Sequence, residues 1–253
     1  MTGFLALFAA ERVKWRKSWF MLAALLAPIC QVGFIAVIFW FSESRIRLYK
    51  PGFRFWLELN FAAWNLVILP VAVALICDLS WEQEREARAW TLLLTQPVTR
   101  HAHYLVKALG HAVLVLISHV FFSVVLVILG YLLTTRPLLL MGPLPWQLLA
   151  TFLGFSMLAS LSMVAFHTWQ SMRLPSLWVS LATALVGSWS AFQLVGVTPL
   201  LMGLPWGMAA QMSTIFERWR TLPWGQAPFS FAAALVLVVL GAFDFTRSHR
   251  AGV

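Results

Sequence analysis

Charge is scarce in this sequence. Asp, Glu, Lys and Arg make up 11% of its 253 residues, and 61% are hydrophobic, whereas a soluble domain carries roughly 25% charged residues. With a mean hydropathy of +0.82, the chain is too apolar for a single water-facing core, and lipid is the expected solvent for much of it. Cysteine is nearly absent too. Cys30 and Cys77 both fall in apolar runs, which excludes a disulfide framework. No Gly-x-x-x-x-Gly-Lys-Ser/Thr run occurs, so no nucleotide-binding loop is expected in this chain. Ser118, Ser123, Ser156, Ser160 and Ser162 lie in apolar runs, and none stands in a Gly-x-Ser-x-Gly setting. They therefore read as helix-packing groups rather than as a hydrolase nucleophile. The N-terminus, "MTGFLALFAAERVKWRKSW", places apolar residues before charge, the reverse of a secretory signal.

What the sequence does have is long apolar runs. A membrane span needs about 20 residues, at 1.5 Å each, to cross roughly 30 Å of hydrocarbon. Six runs qualify, at about 19–41, 59–79, 105–133, 147–167, 175–196 and 227–246. The expected fold is an all-α integral membrane protein, with six transmembrane helices in one domain over residues 1–253. Asn60, Asn65 and Pro70 interrupt the second run. Residues 3–17 read as an interfacial helix, with Phe4, Leu7 and Phe8 toward lipid and Arg12, Lys14, Arg16 and Lys17 toward anionic headgroups. Residues 197–226 are too broken to span and read as a short, broken helical segment before the last span, capping a cavity. Leu-Pro-Trp recurs at 144–146, 204–206 and 222–224, and Trp146, Trp206 and Trp224 are expected as anchors at the outer interface.

The net charge is +9. Because the bases sit in short runs between apolar spans, the anionic partner is the lipid headgroup and not nucleic acid. With both termini inside, eleven of the 18 Lys and Arg residues fall on the cytoplasmic side and seven outside, which favours that orientation. The expected location is the bacterial cytoplasmic membrane.

One polar stretch breaks the apolar pattern: "DLSWEQEREARAWTLLLTQPVTRHAHYLVK", residues 78–107. In this topology residues 80–104 are cytoplasmic. Ser80 and Gln83 fit a capping box. Glu82, Glu84 and Glu86 come early, where a helix dipole favours anions. Glu84 and Arg88 form an i,i+4 pair. Ala87, Trp90 and Leu94 share a side, and Pro97 then ends or restarts the helix. A topology signal needs no such apolar patch ringed by charge. The arrangement fits a docking surface for a soluble partner.

The run "EREARAWTLLLTQPVTRHAHYLVK" resembles the cytoplasmic loop before the third span of ABC-2-type transporter permeases: a Glu-rich turn, an apolar helix, Pro-Val-Ser/Thr-Arg, then a Lys entering the span. "ERVKWRKSW" resembles the same family's N-terminal helix. "WQSMRLPSLWVSLATALVGSW" followed by "LPWGMAAQM" is similar to the subgroup that protects bacteria from lantibiotics and bacitracin. The resemblance implies a permease whose coupling segment contains Glu82, Glu84, Arg85, Glu86, Arg88, Trp90, Leu94, Pro97 and Arg100. It implies a separate ABC ATPase subunit carrying ATP and Mg, no cofactor in this chain, and a second permease subunit, identical or related. It also implies an amphipathic peptide as cargo, held at the dimer interface between spans two and five. Other hydrophobic cargo (a lipid, a drug or a metal-maturation factor) and a non-transporting anchor or immunity protein remain as alternatives.

The histidines do not make a metal site. His111 and His119 are eight residues apart in the third run, about 80° around a helix, so they read as neutral groups bonded to neighbouring helices. Asp78 and Asp244 sit near span ends and are expected to pair with nearby bases.

Overall fold

The computed structural model describes residues 2–16, 18–41, 52–87, 99–135, 140–195, 204–214 and 224–248. Among these, every regular element is helical. A chain in lipid has no water to take its backbone N–H and C=O groups, and helices satisfy them internally. In order, the elements are α1 (Thr2–Lys14), α2 (Trp19–Phe41), α3 (Phe53–Ala63), a π-helical segment (Trp64–Ile68), α4 (Leu69–Glu86), α5 (Arg100–Thr134), α6 (Trp146–Arg173), α7 (Leu177–Gln193), the single turn α8 (Gly207–Ala210) continued by a 3-10 turn (Gln211–Thr214), and α9 (Ala227–Ser248).

Among the described residues, five stretches are long and apolar enough to cross a membrane: Trp19–Phe41, Phe53–Glu86, Arg100–Thr134, Trp146–Arg173 and Ala227–Arg247. The protein is therefore multi-pass. The expected fifth run forms α7, which has 17 residues, about 26 Å at 1.5 Å per residue. The second run is longer than its hydropathy suggests. It extends from Phe53 to Glu86 through the π segment.

Two prolines inside apolar helices explain part of the packing. Proline has no N–H, so the carbonyl four residues earlier loses its donor. Pro28 in α2 frees the Ala24 carbonyl, and Ser118 Oγ of α5 donates to it at 2.7 Å. Pro70 frees the Leu66 carbonyl within the π segment, and Ser188 Oγ of α7 donates to that one. The side-chain amides of Asn60 and Asn65 turn back on their own helix, donating at 2.9 Å to Trp56 O and Phe61 O. Gln31 Nε2 of α2 donates to both oxygens of Asn60 at 3.2 Å. The polar residues that interrupt the second run thus lie in its packed interior.

Helix α6 is central and packs against α4, α5 and α9, while α7 covers α4. Trp64 stacks on Phe122 at 4.7 Å, and Phe61 meets Phe122 and Phe152 edge-on at 5.1 and 5.5 Å. The broken segment enters this core. Met208, Ala209, Ala210 and Met212 are buried, and α8 with its 3-10 turn contacts α3, α6, α7 and the π segment. Trp206 corrects its expected placement at an interface. It is buried, with its ring 5.1 Å from Phe166 and 5.8 Å from His167. Gly187 of α7 makes room, since a Cβ there would lie 2.6 Å from the Trp206 ring. Trp146 and Trp224 do stand exposed, at the starts of α6 and of the 3-10 turn before α9.

Candidate functional site

The most concentrated polar chemistry lies where α1 meets the C-terminal end of α4 and the first turns of α5. Four charged side chains close a ring there. Lys14 Nζ lies 2.8 Å from Glu11 Oε2 and 2.5 Å from Glu84 Oε1. Lys107 Nζ lies 3.1 Å from Glu11 Oε1 and 2.8 Å from Glu84 Oε1. Lys107 also donates to the Ser80 carbonyl at 3.0 Å and sits 5.3 Å from the centre of the Trp81 ring. Glu84 is 5% exposed and Lys107 3%, burial that such groups reach only when paired. Two acids and two bases leave the ring neutral, so each charge is compensated without reference to solvent. Beside it is a cavity of about 90 Å³, lined by Leu7, Ala10, Trp81, His103, Val106 and Phe245 together with the ring.

Local sequence explains the arrangement. Glu11 and Lys14 are one turn apart on α1 and present adjacent groups to the same neighbour. Lys107 enters α5 one turn after His103, and Gly110 keeps the wall low enough for α1: a Cβ there would lie 3.3 Å from Glu11 Cγ. Burial pushes the Glu11 carboxyl up, but the ammonium groups of Lys107 and Lys14 outweigh it and leave its pKa below the ordinary value. Burial pushes the Lys14 ammonium down, but the Glu84 and Glu11 carboxylates outweigh that and leave its pKa raised.

Several expectations for the polar stretch change here. Ser80 caps nothing. It lies inside the continuous helix α4, where its carbonyl accepts from Lys107. Glu82, Glu84 and Glu86 end a helix and do not begin one. The dipole there disfavours anions, and for Glu84 the two lysines supply the compensation. Glu84 is thus held by Lys14 and Lys107. Lys14, expected at lipid headgroups, belongs to the ring, whereas Arg12 and Arg16 are exposed. Arg85 Nη1 donates to the Ser171 carbonyl near the end of α6 at 3.1 Å. Glu82 is half-buried, Glu86 exposed and Arg100 half-buried at the start of α5. Lys17, Arg88, Trp90, Leu94 and Pro97 lie outside the described residues. The ring is not legible in the sequence because Glu11 and Lys107 are far apart in the chain, and helical spacing does not say which distant helices meet.

The other polar groups fall into place around α6. Asp244 of α9 takes two bonds from Arg173 and one from Trp169 Nε1 at 2.9 Å, the pairing expected of it. Asp78 accepts from Ser180 Oγ at 3.2 Å. His111 Nδ1 bonds Thr168 Oγ1 at 2.8 Å, and His119 Nε2 bonds Ser156 Oγ at 2.9 Å. The two imidazoles thus reach different turns of α6. No group of three or more His, Cys, Asp or Glu suited to a metal occurs among the described residues.

Helices long and apolar enough to cross a membrane, with a buried neutral charge ring where α1, α4 and α5 meet, define a multi-pass membrane protein. The family described as ABC-2 family transporter protein matches residues 7–188, more than two thirds of the chain. The chain belongs to that family, which makes it the membrane component of an ABC transporter. Such permeases are not themselves catalytic, work with ABC ATPase partners and commonly dimerise. No curated protein matches the chain.

Proposed function

We propose that this chain is the permease subunit of an ATP-driven transporter that expels an amphipathic substrate from the membrane, a peptide of the lantibiotic kind. In this reading α7 is the fifth of six spans, α1 lies along the interface, both termini are cytoplasmic, and two permease chains pair to form the pathway. The segment over residues 80–104 receives a separate ATPase, which binds ATP and Mg. The observation that carries the proposal is the ring. It fixes Glu84 just before residues 88–98 and Lys107 just after them. A push on the intervening residues therefore passes to α1, α4 and α5 together.

The test uses the apolar patch of that segment. Trp90→Asp or Leu94→Asp is expected to abolish stimulation of ATPase turnover by a lantibiotic while leaving insertion and folding of the permease intact. Unchanged turnover and unchanged response in both variants would remove the coupling role.

A further inference from the structure

One groove in the molecule is not part of the ring. It has a volume of about 520 Å³, runs along α9 beside α6, and is lined by Trp169, Leu237, Leu240, Phe243, Asp244 and Arg247. Pockets of this size hold small ligands. Apart from Trp169 of α6, its wall is a stripe on α9, where positions 237, 240, 243–244 and 247 recur at helical spacing. The stripe is apolar at one end and charged at the other. At the charged end the acid is already satisfied, since Asp244 is held by Arg173 and by Trp169 Nε1. Arg247, exposed in the last turn of α9, is a second base acting on Asp244, so two bases meet one acid at this end. One positive charge is therefore left over at the mouth.

The dimensions match one lipid leaflet. From Leu237 to Arg247 is ten residues, about 15 Å at 1.5 Å per residue, half of the roughly 30 Å hydrocarbon core. With Arg247 at headgroup depth, Leu237 reaches the bilayer centre. We infer that this groove is a binding site for one anionic glycerophospholipid. Its phosphate pairs with Arg247 and one acyl chain lies along Leu240 and Leu237, clasping α9 against α6. The inference needs only a membrane-spanning bundle. The leaflet is the cytoplasmic one on the topology proposed above. Two helix C-termini meet near the mouth and by their dipoles disfavour anions, so Arg247 is the group on which headgroup preference depends.

The test is native mass spectrometry of the full chain, purified in mild detergent and mixed with micelles containing equal dioleoylphosphatidylglycerol and dioleoylphosphatidylcholine. One phosphatidylglycerol per chain is expected to persist through delipidation. Arg247→Gln is expected to cut its retention about fivefold, the effect of one arginine at a charged lipid surface. Leu240→Trp, which fills the groove from an exposed position, is expected to lower retention of both lipids. Arg54→Gln, at a remote exposed arginine already paired with Glu58 at 2.7 Å, serves as the control and is expected to change nothing. Glycerol 3-phosphate in excess is expected not to displace the lipid. Equal losses in Arg247→Gln and Arg54→Gln would overturn the site, as would retention untouched by Leu240→Trp. Displacement by glycerol 3-phosphate would reduce it to a phosphate site. A chain dimer broken by Leu240→Trp, with no lipid retained, would assign the groove to a second copy.

Discussion

Ser118 and Ser188 show how single side chains make proline tolerable in this bundle. Each hydroxyl reaches from another helix to the carbonyl that a proline has left without a donor. Removing either hydroxyl leaves a buried acceptor unsatisfied. Ser118→Ala and Ser188→Ala are each expected to destabilise the protein by about 1–3 kcal/mol, read as a lower midpoint of thermal unfolding in detergent. Thr134→Ala, whose hydroxyl bonds its own helix at an exposed position, is expected to stay within about 0.5 kcal/mol of wild type. Equal effects at all three sites would mean that the serines do not act through the proline gaps. The sequence showed that membrane serines serve packing, but not which carbonyl each one serves. A proline marks the freed group four residues back, while the donor comes from a helix 90 or more residues away in the chain.

At the scale of elements, the ring decides how α1 sits. Taking one partner from a buried ion pair leaves an uncompensated charge, at a cost of about 3–5 kcal/mol. Glu84→Met and Lys107→Met are each expected to show destabilisation of that order. The double variant still keeps the Glu11–Lys14 pair, so it is expected to cost clearly less than the sum of the two. Additive losses in thermal unfolding would contradict a shared ring.

The two shifted groups on α1 set a pH window. Glu11 is depressed, so its contribution is present above its ordinary value of 4.5 and is lost as pH falls through the lowered one. Lys14 is raised, so its contribution is present below its ordinary value of 10.5 and is lost as pH rises through the raised one. A spin label at Val13→Cys is expected to stay immobile from pH 4.5 to 10.5 and to gain mobility only outside that range. A mobility change inside it would show that α1 is held by something else. The existence of α1 and the apolar helices was legible from hydropathy. The ring was not, because periodicity places charges on one helix and says nothing about which distant helix they meet. The same limit hid the inward turn of Trp206, which reads as an interfacial tryptophan until Gly187 is seen beneath it.

For the whole molecule, the family match and the five long apolar helices define a membrane transport component. Its orientation is a separate matter. A cysteine at Glu86, exposed beside the polar segment, is expected to react with an impermeant maleimide only from the cytoplasm, and one at Arg218 only from outside. The reverse pattern would invert the topology. The central claim is that the polar segment carried by the ring is the seat of an ATPase. The measurement that tests it most directly is purification of this chain from membranes that also contain the products of neighbouring genes, followed by mass spectrometry of what accompanies it. An ABC ATPase is expected in the complex with wild type and expected to be lost when residues 84–96 are altered. A chain that purifies alone, or an ATPase that stays bound after that alteration, would contradict it.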